Sequence, residues 1–228
     1  MKIKIHNSVF TEYPKLRVAL LLVKQIDNKT NLKESKSLLE DIGEYARLTF
    51  NKDTLENHSL LASWKLAQEG SGKKIKQRHS SLEKNLTRVL ANKDISKKNV
   101  LDNVINYISL KNLVPITADD CADVKGDVHF KIVKGTERLK SLKQLPKGIL
   151  FYRDSTKVLG SKFDFWKSPH ARLTPETWSA LIHLEAIAPM SNKRFNEVVK
   201  ETVELVKTFT NGEVTKLVLN KKEPEGKL

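Results

Sequence analysis

A single cysteine, Cys121, stands among the 228 residues, so an internal disulfide is excluded and a reducing compartment is expected. Long apolar runs are also absent. The best of them, VALLLV at 18–23, has the length of a strand and falls far short of the roughly eighteen residues a membrane-spanning helix needs. The opening MKIKIH carries no apolar stretch with a small-residue cleavage site; the cytoplasm is the expected location and no membrane partner is expected. His6, His58, His79, His129, His170 and His183 are scattered, without HExxH or a cysteine pair, so neither a metal site nor a cofactor is expected. GxSxG is missing too. Gly70-Ser71-Gly72-Lys73-Lys74 follows a helical stretch and lacks the spacing and the Lys-Ser/Thr ending of a Walker loop, which leaves it a basic loop. No segment rich in Pro, Gly or Ser divides the chain, and no repeat is found. The expectation is one domain over 1–220 and a flexible tail, KKEPEGKL, over 221–228.

Positive charge, by contrast, is abundant. Lys and Arg number 41 against 27 Asp and Glu, for a formal net charge of +14. Between Lys65 and Lys98 ten basic residues face three acids, so half of the net charge sits in this one region. Such a field attracts polyanions and makes their association salt-dependent. Lys73, Lys74, Lys76, Arg78, Arg88, Lys97 and Lys98 are the candidate RNA contacts; the alternative is a merely solvated lysine-rich face. Hydrophobic content of 39% with 30% charged residues describes a chain that can bury one good core.

Periodicity divides the chain in two. Residues 16–26 read as a buried strand, and 32–50 as an amphipathic helix with Leu38, Leu39, Ile42 and Ala46 on one stripe. A second helix is expected over 60–68. Ser80-Ser81-Leu82-Glu83 is a capping-box pattern opening a third, with Leu82, Leu86, Val89 and Leu90 toward the core. Beyond Gly126, HFKIVKG, GILFYRD, KVLGSKFDF and WSALIHLEAIA are strand-like. A helix follows over 192–208, and VTKLVLN is a candidate last strand. The fold class expected is α+β: a mainly antiparallel sheet from the C-terminal half, packed with helices from the N-terminal half and a C-terminal helix.

The segment 99–127, NVLDNVINYISLKNLVPITADDCADVKGD, mixes two kinds of residue. Val100, Leu101, Val104, Ile105 and Ile108 recur at helical spacing, while Asn106 and Ser109 lie together on one side, where a polar pair can point into a cleft. Pro115 then breaks the chain, and Thr117, Asp119 and Asp120 follow in a short segment. The plain alternatives are backbone ties for Asn106 and Ser109, and a turn N-cap for Asp119 and Asp120.

PxxADD, followed six residues after its second Asp by Gly126-Asp127 and preceded by a helix containing Asn106-x-x-Ser109-Leu110, resembles the B3/B4 domain. That domain is the editing module of the phenylalanyl-tRNA synthetase beta subunit and also occurs as a free-standing protein. The likeness reaches along most of the chain: Phe10, Pro14, Leu16 and Arg17 before the first core strand, Trp64 on a helix, SSLEKNLTRVL, and FDFWKSPHARLTPETWSALIHLEAIAPMSN. It implies a B3/B4-like fold, tRNA or aminoacyl-tRNA as partner, and hydrolysis of a mischarged aminoacyl ester in trans by an oriented water. A complete synthetase is not expected, because 228 residues leave no room for an aminoacylation core and no ATP signature is present.

The resemblance implies Asn106, Thr117 and Glu185 as the catalytic set, and Ser109, Asp120, Asp164, Trp166, Lys167 and His183 as substrate-binding residues. Thr117 departs from the pattern, standing where the synthetase places a histidine after Pro-x. An ungapped count from Glu176-Thr177 puts His183 where the synthetase has the glutamate that recognises the tyrosine hydroxyl, with Glu185 the nearest acid on the same face. Asn103 stands where an aspartate is common. Two other readings stand beside editing: a non-catalytic tRNA- or RNA-binding module, and a pocket protein for a free amino acid. The amino acid, the tRNA and the oligomeric state are left open.

Overall fold

The computed structural model describes residues 1–69, 80–136, 147–161 and 167–228. The fold is α+β, built on two sheets. Strand β2 (Arg17–Lys24) explains the run VALLLV: its alternate side chains enter two different cores. Ala19, Leu21 and Val23 pack on the helical side, while Val18 and Leu20 pack against the other sheet. A strand covered on both faces needs apolar residues at every position. Replacing fully buried Leu20 by Ala would cost about 2–5 kcal/mol.

β2 is flanked by β7 (Ala180–Ala186) and β8 (Glu213–Leu219), and β7 carries β3 (Ile116–Asp120) on its outer edge, so one sheet runs β3-β7-β2-β8, all antiparallel. The second sheet runs β6 (Val158–Ser161), β5 (Leu150–Arg153), β4 (Val128–Ile132), β1 (Lys2–Ile5), β9 (Glu225–Lys227). Its β1–β4 pair is parallel and its other pairs are antiparallel. Ile3, Ile5, Phe130, Leu150 and Tyr152 from this sheet meet Val18, Leu20, Leu181 and Leu219 from the other.

Helices cover the far face of the β3-β7-β2-β8 sheet. Alongside α1 (Asn7–Glu12), α3 (Lys52–Glu56) and α4 (Ser59–Glu69), the helical layer is built from α2 (Leu32–Thr49), α5 (Ser81–Leu90), α6 (Val100–Asn112) and α7 (Asn192–Thr210). α6 and α7 lie on the sheet through Val104, Ile108, Phe195 and Val199. α2, α4 and α5 complete a helical core with Leu39, Leu61, Leu82 and Leu86. The Ser80 capping box forms as its pattern predicts: Ser80 Oγ accepts the Glu83 amide at 3.2 Å, and Glu83 Oε2 accepts the Ser80 amide at 2.9 Å.

Two segments differ from expectation. Residues 115–120 are not a loop, because Ile116–Asp120 forms strand β3. The tail is not frayed: Glu225, Gly226 and Lys227 pair with Lys4, Ile3 and Lys2, and Glu225 reaches the ammonium groups of Lys2 at 3.2 Å and Lys4 at 2.8 Å. The physical reason is shared: an edge strand satisfies its backbone by pairing, whatever its own propensity. None of the described helices is long and apolar enough to cross a membrane.

Candidate functional site

α6 ends at Leu113, whose φ of 52° turns the chain back, and Ser109 Oγ donates to the Val114 carbonyl at 2.6 Å to fix that turn. The chain then enters β3 at the edge of its sheet. Alternation sends Ile116 and Ala118 to the helical core and places Thr117 and Asp119 on the opposite face, toward the second sheet. On β7 the same alternation buries Ala180, Ile182, Leu184 and Ala186 on the helical side, leaving Leu181, His183 and Glu185 facing the other way. Register sets Thr117 directly across from His183, and Asp119 across from Leu181.

A buried polar cluster results. His183 Nε2 lies 2.8 Å from Asp119 Oδ2, within ion-pair distance. Tyr152, on β5 of the second sheet, donates its hydroxyl to the same oxygen at 2.9 Å. Lys167 Nζ stands 3.3 Å from Asp119 Oδ1. The His183 ring is tilted between Tyr152 at 4.7 Å and Phe130 at 6.1 Å, centroid to centroid. Asp119 and His183 are fully buried, while the Lys167 side chain is 24% exposed and carries the cluster to the surface.

Burial alone would raise the Asp119 carboxyl. The Lys167 charge, His183 and the Tyr152 hydroxyl outweigh it and hold the group down at about 2. Asp119 is thus a fixed anion that positions three side chains from three other parts of the chain. Lys167 also acts on Asp102, in the first turn of α6: burial raises that carboxyl, against the Asn99 amide hydrogen bond and the Lys167 charge.

The sequence candidates fall into separate places. Thr117, His183 and Glu185 share the inter-sheet face with Asp119, where His183 and Lys167 reach its carboxylate and Glu185 lies two residues beyond His183 along β7. His183 and Glu185 share that face and are both buried, so neither displaces the other from it. Asn106 and Ser109 do not join them, because α6 lies across the sheet. Asn106 Oδ1 accepts from Asn85 Nδ2 at 3.1 Å, and Ser109 is spent on the helix end, so among the described residues the pair ties backbone and a neighbouring helix. Asn103 likewise accepts the Lys97 amide at 2.7 Å and donates to Ser35. Asp120 is the N-cap of the turn Cys121–Asp123, accepting the Ala122 amide at 2.9 Å, and also takes the Thr177 hydroxyl at 2.6 Å.

Asp164 and Trp166 lie outside the described residues, as do Lys73, Lys74, Lys76 and Arg78. Lys97, Lys98 and Arg88 are exposed, with the Arg88 guanidinium donating to the Asp94 carbonyl. Two members of the cluster escape sequence reasoning: Asp119 as an ion-pair centre and Tyr152 as its donor. In the chain Asp119 is one of two adjacent acids and Tyr152 one aromatic of the strand-like LFYR, and neither marks itself as a partner of the other. Among the described residues, no group of three His, Cys, Asp or Glu is gathered that could hold a metal ion.

The molecule is an α+β domain whose two sheets enclose a charged cluster centred on one buried carboxylate. A family model, the B3/4 domain, matches residues 64–213, well over half of the chain, and the chain belongs to that family. Among solved structures it is similar to an N-terminal fragment of the phenylalanyl-tRNA synthetase beta-subunit from Pyrococcus horikoshii, with 10% identity and a TM-score of 0.44. The match covers 95% of this chain and 53% of the fragment, so the chain spans about half the fragment's length. No curated protein sequence matches it.

Proposed function

We propose that this chain binds aminoacyl-tRNA and hydrolyses a mischarged aminoacyl ester in trans at the edge of the inter-sheet cluster. The observation that carries the reading is the Lys167 ammonium held by the buried Asp119 anion in a B3/4 domain, with Thr117 two residues from Asp119 on the same face. An aminoacyl ester is already reactive, so the site needs only to orient water and stabilise the developing oxyanion. Thr117, partly exposed on β3, is the residue to hold water; Lys167, fixed in place, is the one to meet the oxyanion. Water adds to the carbonyl carbon, the bond to the ribose oxygen breaks, and that oxygen takes a proton. His183 and Tyr152 act behind Asp119 as positioning residues. The +14 net charge supports a polyanionic partner, with the exposed Lys97 and Lys98 as contacts beside α6.

A second reading, tRNA binding without hydrolysis, is favoured by one observation: Asp119 and His183 are closed to solvent, and a buried ion pair can serve only to fix the strands. Deacylation across a panel of mischarged tRNAs separates the two. Release above the spontaneous rate for at least one amino acid, lost in Lys167→Gln, is expected. No tRNA-dependent release for any amino acid removes the enzymatic claim and leaves the binding one.

A further inference from the structure

A second cationic surface lies at the other end of β7. There a groove of about 550 Å³ is bounded by the segment before β2, the segment joining β7 to α7, and the turn after β8. Lys15, Arg17, Lys221 and Lys222 line it, with Asn192 and Asn220, and no carboxylate does. Among the described residues none of these four cations has a carboxylate within ion-pair distance, so the cluster's positive charge is not offset inside the groove. Arg17 is locked in place, donating to Asn192 Oδ1 at 2.7 Å and to the Met190 carbonyl at 2.6 Å, with its guanidinium 4.9 Å above the Phe195 ring.

Lys193 and Arg194, in the first turn of α7, lie outside the groove lining, and Arg194 is answered by Glu197 at 3.6 Å. The charge that suits an external anion is that of Lys15, Arg17, Lys221 and Lys222, which share the groove with no carboxylate among its lining residues. The exposed large hydrophobic residues among those described are Tyr45, Leu48 and Trp178, none of them in the groove, so nothing here is built to enter a bilayer.

We propose that this groove binds the phosphodiester backbone of an RNA strand, as a contact separate from Lys97 and Lys98; the inference rests on the tRNA-binding part of the reading above. β7 spans seven residues, so the groove and the Asp120 end of the sheet are about 20 Å apart along the strand. An RNA held at the groove and beside α6 would therefore cross the length of the sheet.

The test uses the full chain, labelled unfractionated tRNA and a salt titration. Lys15, Lys221 and Lys222, all exposed, are changed together to Gln; a control changes the exposed Lys33, Lys200 and Lys207 to Gln for the same loss of charge. Removing one lysine–phosphate pairing lowers the slope of log K against log salt by roughly 0.7–0.9, so a fall of about 2–3 and at least about tenfold weaker binding near physiological salt are expected for the groove variant alone. Equal effects in both variants, or none in either, with wild type still binding tRNA, overturn the groove and leave the functional reading standing. Wild type that fails to bind tRNA at low salt overturns both. Groove-dependent binding to phosphatidylserine vesicles without binding to tRNA overturns RNA as the occupant. Circular dichroism and Tm confirm that each variant is folded.

Discussion

Asp119 Oδ2 is shared by His183 at 2.8 Å and the Tyr152 hydroxyl at 2.9 Å, so one carboxyl oxygen at a sheet edge joins two strands of its own sheet to a strand of the other. A buried anion of this kind is most costly when only one partner is removed. Asp119→Asn leaves Lys167 without its counter-charge and His183 without its carboxylate neighbour, and is expected to destabilise the fold by about 3 kcal/mol. Tyr152→Phe deletes a single charge-assisted donor and should cost about 1.5–3 kcal/mol. Urea denaturation of the three proteins checks both values.

The same carboxyl predicts an acid transition. Its folded value is lowered from the ordinary 3.8 to about 2, so the ionised form is favoured in the fold. The stabilisation, on the order of 2 kcal/mol, is complete above about pH 5 and is lost as pH falls through the folded value. Asp102 works in the opposite sense: raised by burial, it adds stability when it takes a proton. Wild type should therefore lose more stability than Asp119→Asn between pH 5 and pH 2. Parallel stability–pH curves for the two proteins would contradict this assignment.

Lys167→Gln separates catalysis from folding. The side chain is partly exposed, so the variant should stay folded at pH 7, while removal of an oxyanion-stabilising cation should lower deacylation about 100-fold. Its acid transition should also move upward, because the cation that holds Asp119 down is gone. Single-turnover release of a mischarged amino acid, measured beside Tm at several pH values, reads both effects.

Asn106→Ala and Ser109→Ala should behave as structural variants. Each leaves a buried partner unsatisfied, the Asn85 amide in one case and the Val114 carbonyl in the other, at about 1–3 kcal/mol. Deacylation per folded molecule should be unchanged. A selective loss of activity at full stability would return them to the site.

Removal of residues 221–228 tests the last strand. It uncovers the β1 edge and takes away the Met1 amino group's bond to the Leu228 carbonyl, so Tm should fall and the Lys2–Ile5 amides should exchange faster. Unchanged exchange in β1 would mean that β9 adds nothing to its sheet.

Much of the fold is legible in the chain because it rests on local rules. The Ser80–Glu83 pattern caps its helix, VALLLV is a strand buried on both faces, and 32–50 is helical almost to the residue. β1, β3 and β9 leave no such mark. They are short strands whose order comes from the neighbour they pair with.

The candidate site divides in the same way. The segment 99–127 stands out by its mixed polar and apolar residues, and Thr117, His183 and Glu185 share one face, with Lys167 reaching Asp119 there. Asn106 and Ser109 group with them in the chain but not in space, because sequence distance cannot tell which side of a sheet a helix covers. By itself the sequence determined the strand and helix periods, the caps and the excess of positive charge, since each depends on neighbours a few residues away. Only the tertiary structure decided that Asp119, rather than Asp120, is the buried anion. Alternation on β3 turns one toward the second sheet and the other toward a turn, and the Tyr152, His183 and Lys167 that hold Asp119 ionised arrive from 33 or more residues along the chain.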